Sequence, residues 1–89
     1  MGNKVVEIKG EQRISRDALS EFLSELAEQI ESGHVVIRQG DQEAQADIPD
    51  QVELEVELEH RPKKTGEKYS LELEIEWYTG QGSGEIELG

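Results

Sequence analysis

Two stretches of the chain, Val52 to Glu59 and Leu71 to Trp77, carry glutamate at every second position. Alternation with period two sends successive side chains to opposite faces of a strand. Both stretches therefore read as β-strands with an apolar face (Val52, Leu54, Val56, Leu58; Leu71, Leu73, Ile75, Trp77) and a carboxylate face (Glu53, Glu55, Glu57, Glu59; Glu72, Glu74, Glu76). One face is expected to be core and the other a field of negative charge.

Upstream the period changes. Ala18, Leu19, Phe22, Leu23, Leu26, Ala27 and Ile30 recur at spacings of three and four, with Glu21, Ser24, Glu25, Glu28 and Gln29 opposite, which predicts one amphipathic helix from Arg16 to Ser32. Ser15 has the chemistry of an N-cap, and Asp17 sits in the first turn, where the helix dipole favours an anion. Ile14 and Leu19 have the spacing of a hydrophobic staple, and Gly33 suits the C′ position. Before the helix, Val6 and Ile8 alternate with Glu7 and Lys9, predicting a short first strand.

After the helix, Gly40-Asp41 reads as a two-residue turn between Val35-Ile37 and Ala44-Ala46-Ile48. That loop length pairs Ile37 with Ala44, Val35 with Ala46 and Arg38 with Glu43. Pro49-Asp50 ends the strand, because proline has no N–H for a central ladder. A second hairpin joins the glutamate strands through a loop at about His60 to Glu67. Facing Leu58 with Tyr69 pairs Leu54 with Leu73, Glu59 with Lys68, Glu55 with Glu72 and Glu53 with Glu74. The Thr79 to Gly84 stretch is glycine-rich and expected to be mobile, with Glu85 to Leu88 as an optional edge strand.

Composition narrows the function classes. Eighty-nine residues make one domain, which at this size buries roughly 60–65% of its unfolded-chain surface and leaves little room for an enclosed active site. Cysteine is absent, which excludes disulfides and thiolate metal sites. The longest apolar run is Val35-Val36-Ile37, too short for a membrane span, and the N-terminus lacks a signal-peptide core. The expected location is the cytoplasm. A net charge of −12 disfavours nucleic acid and anionic membranes and favours cations or basic proteins. The same charge suits high salt, where the Debye length falls from about 10 Å at 0.1 M to about 3 Å at 1 M.

The candidate binding residues are Glu53, Glu55, Glu57, Glu72, Glu74 and Glu76, with a basic protein as the expected partner. A divalent-cation module on the same face is the alternative, since calcium and magnesium favour converging oxygens. Against it, carboxylates two residues apart on a flat strand are about 6.7 Å apart, and no Asp-rich, Gly-punctuated loop is present. The plainest reading of the face is a solvated surface. Arg61, Lys63, Lys64 and Lys68 form the one concentrated positive patch, read as a counterweight to nearby glutamates. His34 and His60 match no histidine–carboxylate spacing, and no nucleophile and base gather in a pocket pattern. No enzyme activity, cofactor or metal site is expected.

The chain resembles the amphi-Trp domain family of small bacterial and archaeal proteins. The resemblance rests on Lys4-Val5-Val6-Glu7, Ile14-Ser15-Arg16, Leu26-Ala27 with Ile30-Glu31-Ser32-Gly33, Ile48-Pro49, the Val52 to Glu59 strand and Leu71 to Trp77, spanning about residues 3 to 78. It implies a compact α+β domain with no established biochemical activity and no catalytic residues to carry over. The expected architecture is α+β in the order β-α-β-β-β-β: a mainly antiparallel five-stranded sheet with the helix on its apolar face. Residues 1–78 form the domain and 79–89 the tail. The helix stripe is just wide enough to cover the sheet, so a monomer is expected.

Overall fold

Ser15 starts the helix as its chemistry predicts. In the computed structural model, which describes residues 4–79, its backbone is extended (φ −76°, ψ 160°) and its Oγ accepts a hydrogen bond from the Ala18 N–H at 3.0 Å. Helix α1 runs Arg16–Ser32 and stops at Gly33, where φ of 84° is the left-handed region that favours glycine. The Gly33 N–H bonds the Ile30 carbonyl at 3.0 Å, and the Gly33 carbonyl accepts from the Ile48 N–H at 2.8 Å.

Strands β1 (His34–Gln39) and β2 (Gln42–Asp47) follow as an antiparallel hairpin. The expected register holds: Val35 pairs with Ala46, Ile37 with Ala44 and Arg38 with Glu43. Gly40, at φ 63°, makes the turn. Helix α1 packs against β1. Val35, Val36, Ile37, Leu26 and Ile30 are half-buried there, while Leu19, Phe22 and Leu23 stay 40–50% exposed. Gln29, assigned by periodicity to the solvent side, instead turns inward and accepts the Val36 N–H at 2.7 Å. It thereby satisfies a backbone donor of β1, the type of group that edge strands leave open.

The predicted strand at Val6 and Ile8 does not form: residues 4–15 contain neither helix nor strand. Two alternating apolar residues make a strand only when a neighbour supplies a ladder. Instead the segment lies along the α1–β1 unit, where Ile8 and Ile14 join Phe22 and Ile37 around an open cleft of about 350 Å³. A side chain in place of Gly10 would displace the end of the flexible Gln39 side chain, whose Nε2 lies 2.8 Å from the Cβ position.

Strands β3 (Glu53–Lys63) and β4 (Gly66–Glu76) form a second antiparallel hairpin. They are longer than expected, because the stretch assigned to a His60 to Glu67 loop is mostly strand. The turn is confined to Lys64 and Thr65, and Gly66 has φ 137°. The register is displaced by two residues from the expected one, pairing Leu54 with Ile75, Val56 with Leu73 and Leu58 with Leu71. Glu59 faces Ser70, not Lys68. Val52 lies just before β3, and Trp77 just after β4 is half-buried.

The expected single five-stranded sheet is thus replaced, among the described residues, by two two-stranded sheets and one helix. The α+β class and the antiparallel pairing stand. The chain divides into two compact units, Met1–Asp50 and Gln51–Gly89, at Pro49-Asp50 where β2 was predicted to end. The optional strand at Glu85 to Leu88 and most of the expected tail lie outside the described residues.

Candidate functional site: a charged ladder on one hairpin

Each glutamate named from the sequence is placed by the β3–β4 ladder. Antiparallel pairing sets Glu53 opposite Glu76, Glu55 opposite Glu74 and Glu57 opposite Glu72 on one face, and all six are exposed. Directly opposed side chains in such a ladder have Cβ atoms about 4.5–5.5 Å apart, where like charges are destabilising. The observed register therefore aligns a third acidic pair where two were expected.

The carboxylates converge more than a flat strand suggests. Oxygens of Glu55, Glu74 and Glu76 lie within 4.8 Å of one another, as do those of Glu57, Glu59 and Glu72. Side-chain torsions bring together groups whose backbones are a full pleat apart. Glu59, absent from the sequence-predicted set, belongs to the second group; the signal for it was its place in the alternating run. A shallow depression of about 210 Å³ lies over Glu55, Glu57, Glu72, Leu73 and Glu74. Glu74 beside Glu76 raises the carboxyl pKa of Glu76 above its ordinary value, with desolvation and the charges of Glu53 and Glu55 acting in the same direction. Crowded negative charge favours the protonated form.

Toward the turn the sign of the face reverses. Arg61 stands directly opposite Lys68, Lys63 is two residues further on, and Lys64 lies in the turn. The expected counterweight role is met only in part: Arg61 Nη2 reaches Glu59 Oε1 at 3.4 Å, and among the described residues no carboxylate lies within ion-pair distance of Lys63, Lys64 or Lys68. Across the hairpin, His60 stacks on Tyr69 with ring centroids 5.2 Å apart, and the Tyr69 hydroxyl donates to Glu67 at 3.2 Å.

His34 heads β1, its Nδ1 2.7 Å from Asp47 Oδ1 and its Nε2 3.0 Å from Gln45 Oε1. The hydrogen bond to Asp47, with a second to Gln45, raises the imidazole pKa above its ordinary value of 6.5. On the same hairpin Arg38 Nε donates to Glu43 Oε1 at 2.8 Å, and this bond, with another from Gln45, lowers the Glu43 pKa. Among the described residues, no helix is long and apolar enough to cross a membrane.

A charged antiparallel hairpin in one unit and a capped helix on a second hairpin in the other make the chain α+β. The chain belongs to the Amphi-Trp domain family, whose model it matches over residues 1–88. The match continues past Tyr78 through the glycine-rich stretch, further than the span of residues 3 to 78 on which the resemblance rested. No curated protein and no solved structure matches the chain.

Proposed function

We propose that this is a non-enzymatic, cytoplasmic accessory domain whose β3–β4 acidic ladder docks a basic protein partner. The observation that carries the reading is the stacking of three directly opposed glutamate pairs on one exposed face. Rungs two residues apart on strands repeat every ~6.7 Å, and neighbouring strands are about 4.8 Å apart, so the carboxylates form an ordered polyanion. Such fields raise association rates with cationic surfaces and discriminate against wrong partners. Like charges placed in opposition work against folding, and a cationic partner relieves that repulsion on binding. A peptide carrying lysine at alternate positions is the probe. The domain should bind it with strong salt dependence, and changing Glu53, Glu55, Glu72 and Glu74 together to lysine should abolish binding. Undiminished binding to that variant would sink the reading.

A second reading, divalent-cation binding, is favoured by the two carboxylate groups whose oxygens lie within 4.8 Å. Magnesium or calcium titration followed by amide NMR distinguishes the two. Saturable shifts confined to Glu55, Glu57, Glu59, Glu72, Glu74 and Glu76 support a cation site. Small uniform shifts that follow ionic strength leave a solvated, salt-adapted face.

A further inference from the structure

We propose that the basic tip of the β3–β4 hairpin orients the docked partner, so that the ladder selects a cationic segment that ends in acidic residues. This rests on the docking reading above and adds the second half of the partner's charge pattern.

Down one face the rungs are Glu53/Glu76, Glu55/Glu74, Glu57/Glu72, Glu59/Ser70, Arg61/Lys68 and Lys63/Gly66. Like charge stands opposite like charge on four of these six rungs, three acidic and one basic. A register displaced by two residues keeps every apolar side chain on its face and sets Glu59 against Lys68, an opposite-charge pair. The observed pairing forgoes that neutralisation. It gathers the charges by sign along the hairpin, with the reversal falling between Glu59 and Arg61.

The cations of the tip are therefore available to a partner. The one ion pair they make among the described residues is the 3.4 Å contact of Arg61 with Glu59, longer than a good charged hydrogen bond. Arg61, Lys63, Lys64 and Lys68 are all exposed. The tip is also held in shape from its other face, where His60 stacks on Tyr69 and Tyr69 bonds Glu67. From the Glu53 rung to the Lys63 rung the ladder extends about 33 Å at the usual strand rise. That exceeds the Debye length of about 8 Å at physiological salt, so its two ends act as separate fields. A uniformly basic partner is repelled at the tip and a uniformly acidic one at the base. A segment with both signs satisfies both.

Two peptides test this: a threonine-spaced run of lysines closed by aspartates at one end, and the same peptide with lysine replacing the aspartates. The hairpin variant is Arg61→Glu, Lys63→Glu, Lys68→Glu, with Arg61→Gln, Lys63→Gln, Lys68→Gln as a milder version should the first fail to fold by circular dichroism. Either variant makes the chain more acidic than its −12, so indiscriminate attraction strengthens binding of both peptides. The tip reading expects opposite signs. The two-sign peptide weakens by roughly three- to tenfold, the range expected for a few exposed charge pairs, and the all-lysine peptide tightens. Tightening of both peptides overturns the tip's role and leaves the acidic docking face standing. Failure of both peptides to bind the unaltered domain overturns the docking reading itself.

Discussion

Reversing one charge in the middle of the acidic ladder should stabilise the domain, and salt should erase the gain. Glu74 is the position to change, because it faces Glu55 directly and has Glu72 and Glu76 on either side along β4. At about 5 Å, the usual separation of opposed side chains, two unit charges in water repel by about 0.8 kcal/mol. Glu74→Lys turns that repulsion into attraction of similar size, a swing of about 1.6 kcal/mol before screening. At 0.1 M salt, with a Debye length of about 10 Å, screening leaves about 1 kcal/mol, the upper end of what exposed ion pairs contribute. A domain of this size gains about 4–8 °C in Tm per kcal/mol, so a rise of several degrees is expected. At 1 M, with a Debye length of about 3 Å, the gain should fall to about 0.3 kcal/mol. Lysine and glutamate are both disfavoured in strands, so propensity contributes little. Thermal unfolding followed by Trp77 fluorescence and circular dichroism, in dilute and in molar KCl, measures both numbers. No stabilisation in dilute salt would refute the opposed-pair ladder. A gain that persists unchanged at 1 M would refute its electrostatic cause.

Removing the helix cap with Ser15→Ala breaks the bond to the Ala18 N–H and should destabilise the domain by about 1 kcal/mol, read as a lower denaturant midpoint with unchanged slope; Ser15→Asp should restore most of the loss. The raised His34 pKa, caused first by Asp47, makes a signed prediction. Its contribution to stability is fully present below the ordinary value of 6.5 and is lost as pH rises through the folded pKa. Asp47→Asn should flatten that slope and return the imidazole toward 6.5 by NMR titration, and an unchanged slope would remove His34 from the account.

The elements legible in the sequence were those decided by neighbours in the chain. Ser15 and Gly33 bound the helix because capping is a matter of a few adjacent backbone groups. Gly40-Asp41 set the β1–β2 register because a two-residue turn leaves one pairing open. The six candidate glutamates were assigned to one face correctly, since alternation alone determines parity.

Other features depended on contacts distant in sequence. A period-two pattern looks the same after a shift of two residues, so neither the apolar row nor the glutamate row distinguishes Leu58 against Tyr69 from Leu58 against Leu71. The tight turn at Lys64-Thr65 makes the choice, and with it sets Arg61 opposite Lys68. Gln29 reads as a solvent-side residue until the unpaired Val36 N–H on β1 gives it a partner. Val6 and Ile8 have the alternation of a strand but no ladder to join, because strand formation is a property of a pair and not of a segment. The sequence by itself determined the helix, the first hairpin and the alternation of side chains between the faces of each glutamate strand, all of which follow from local geometry. Only the tertiary structure decided which charges oppose one another, because pairing register depends on where two remote segments meet.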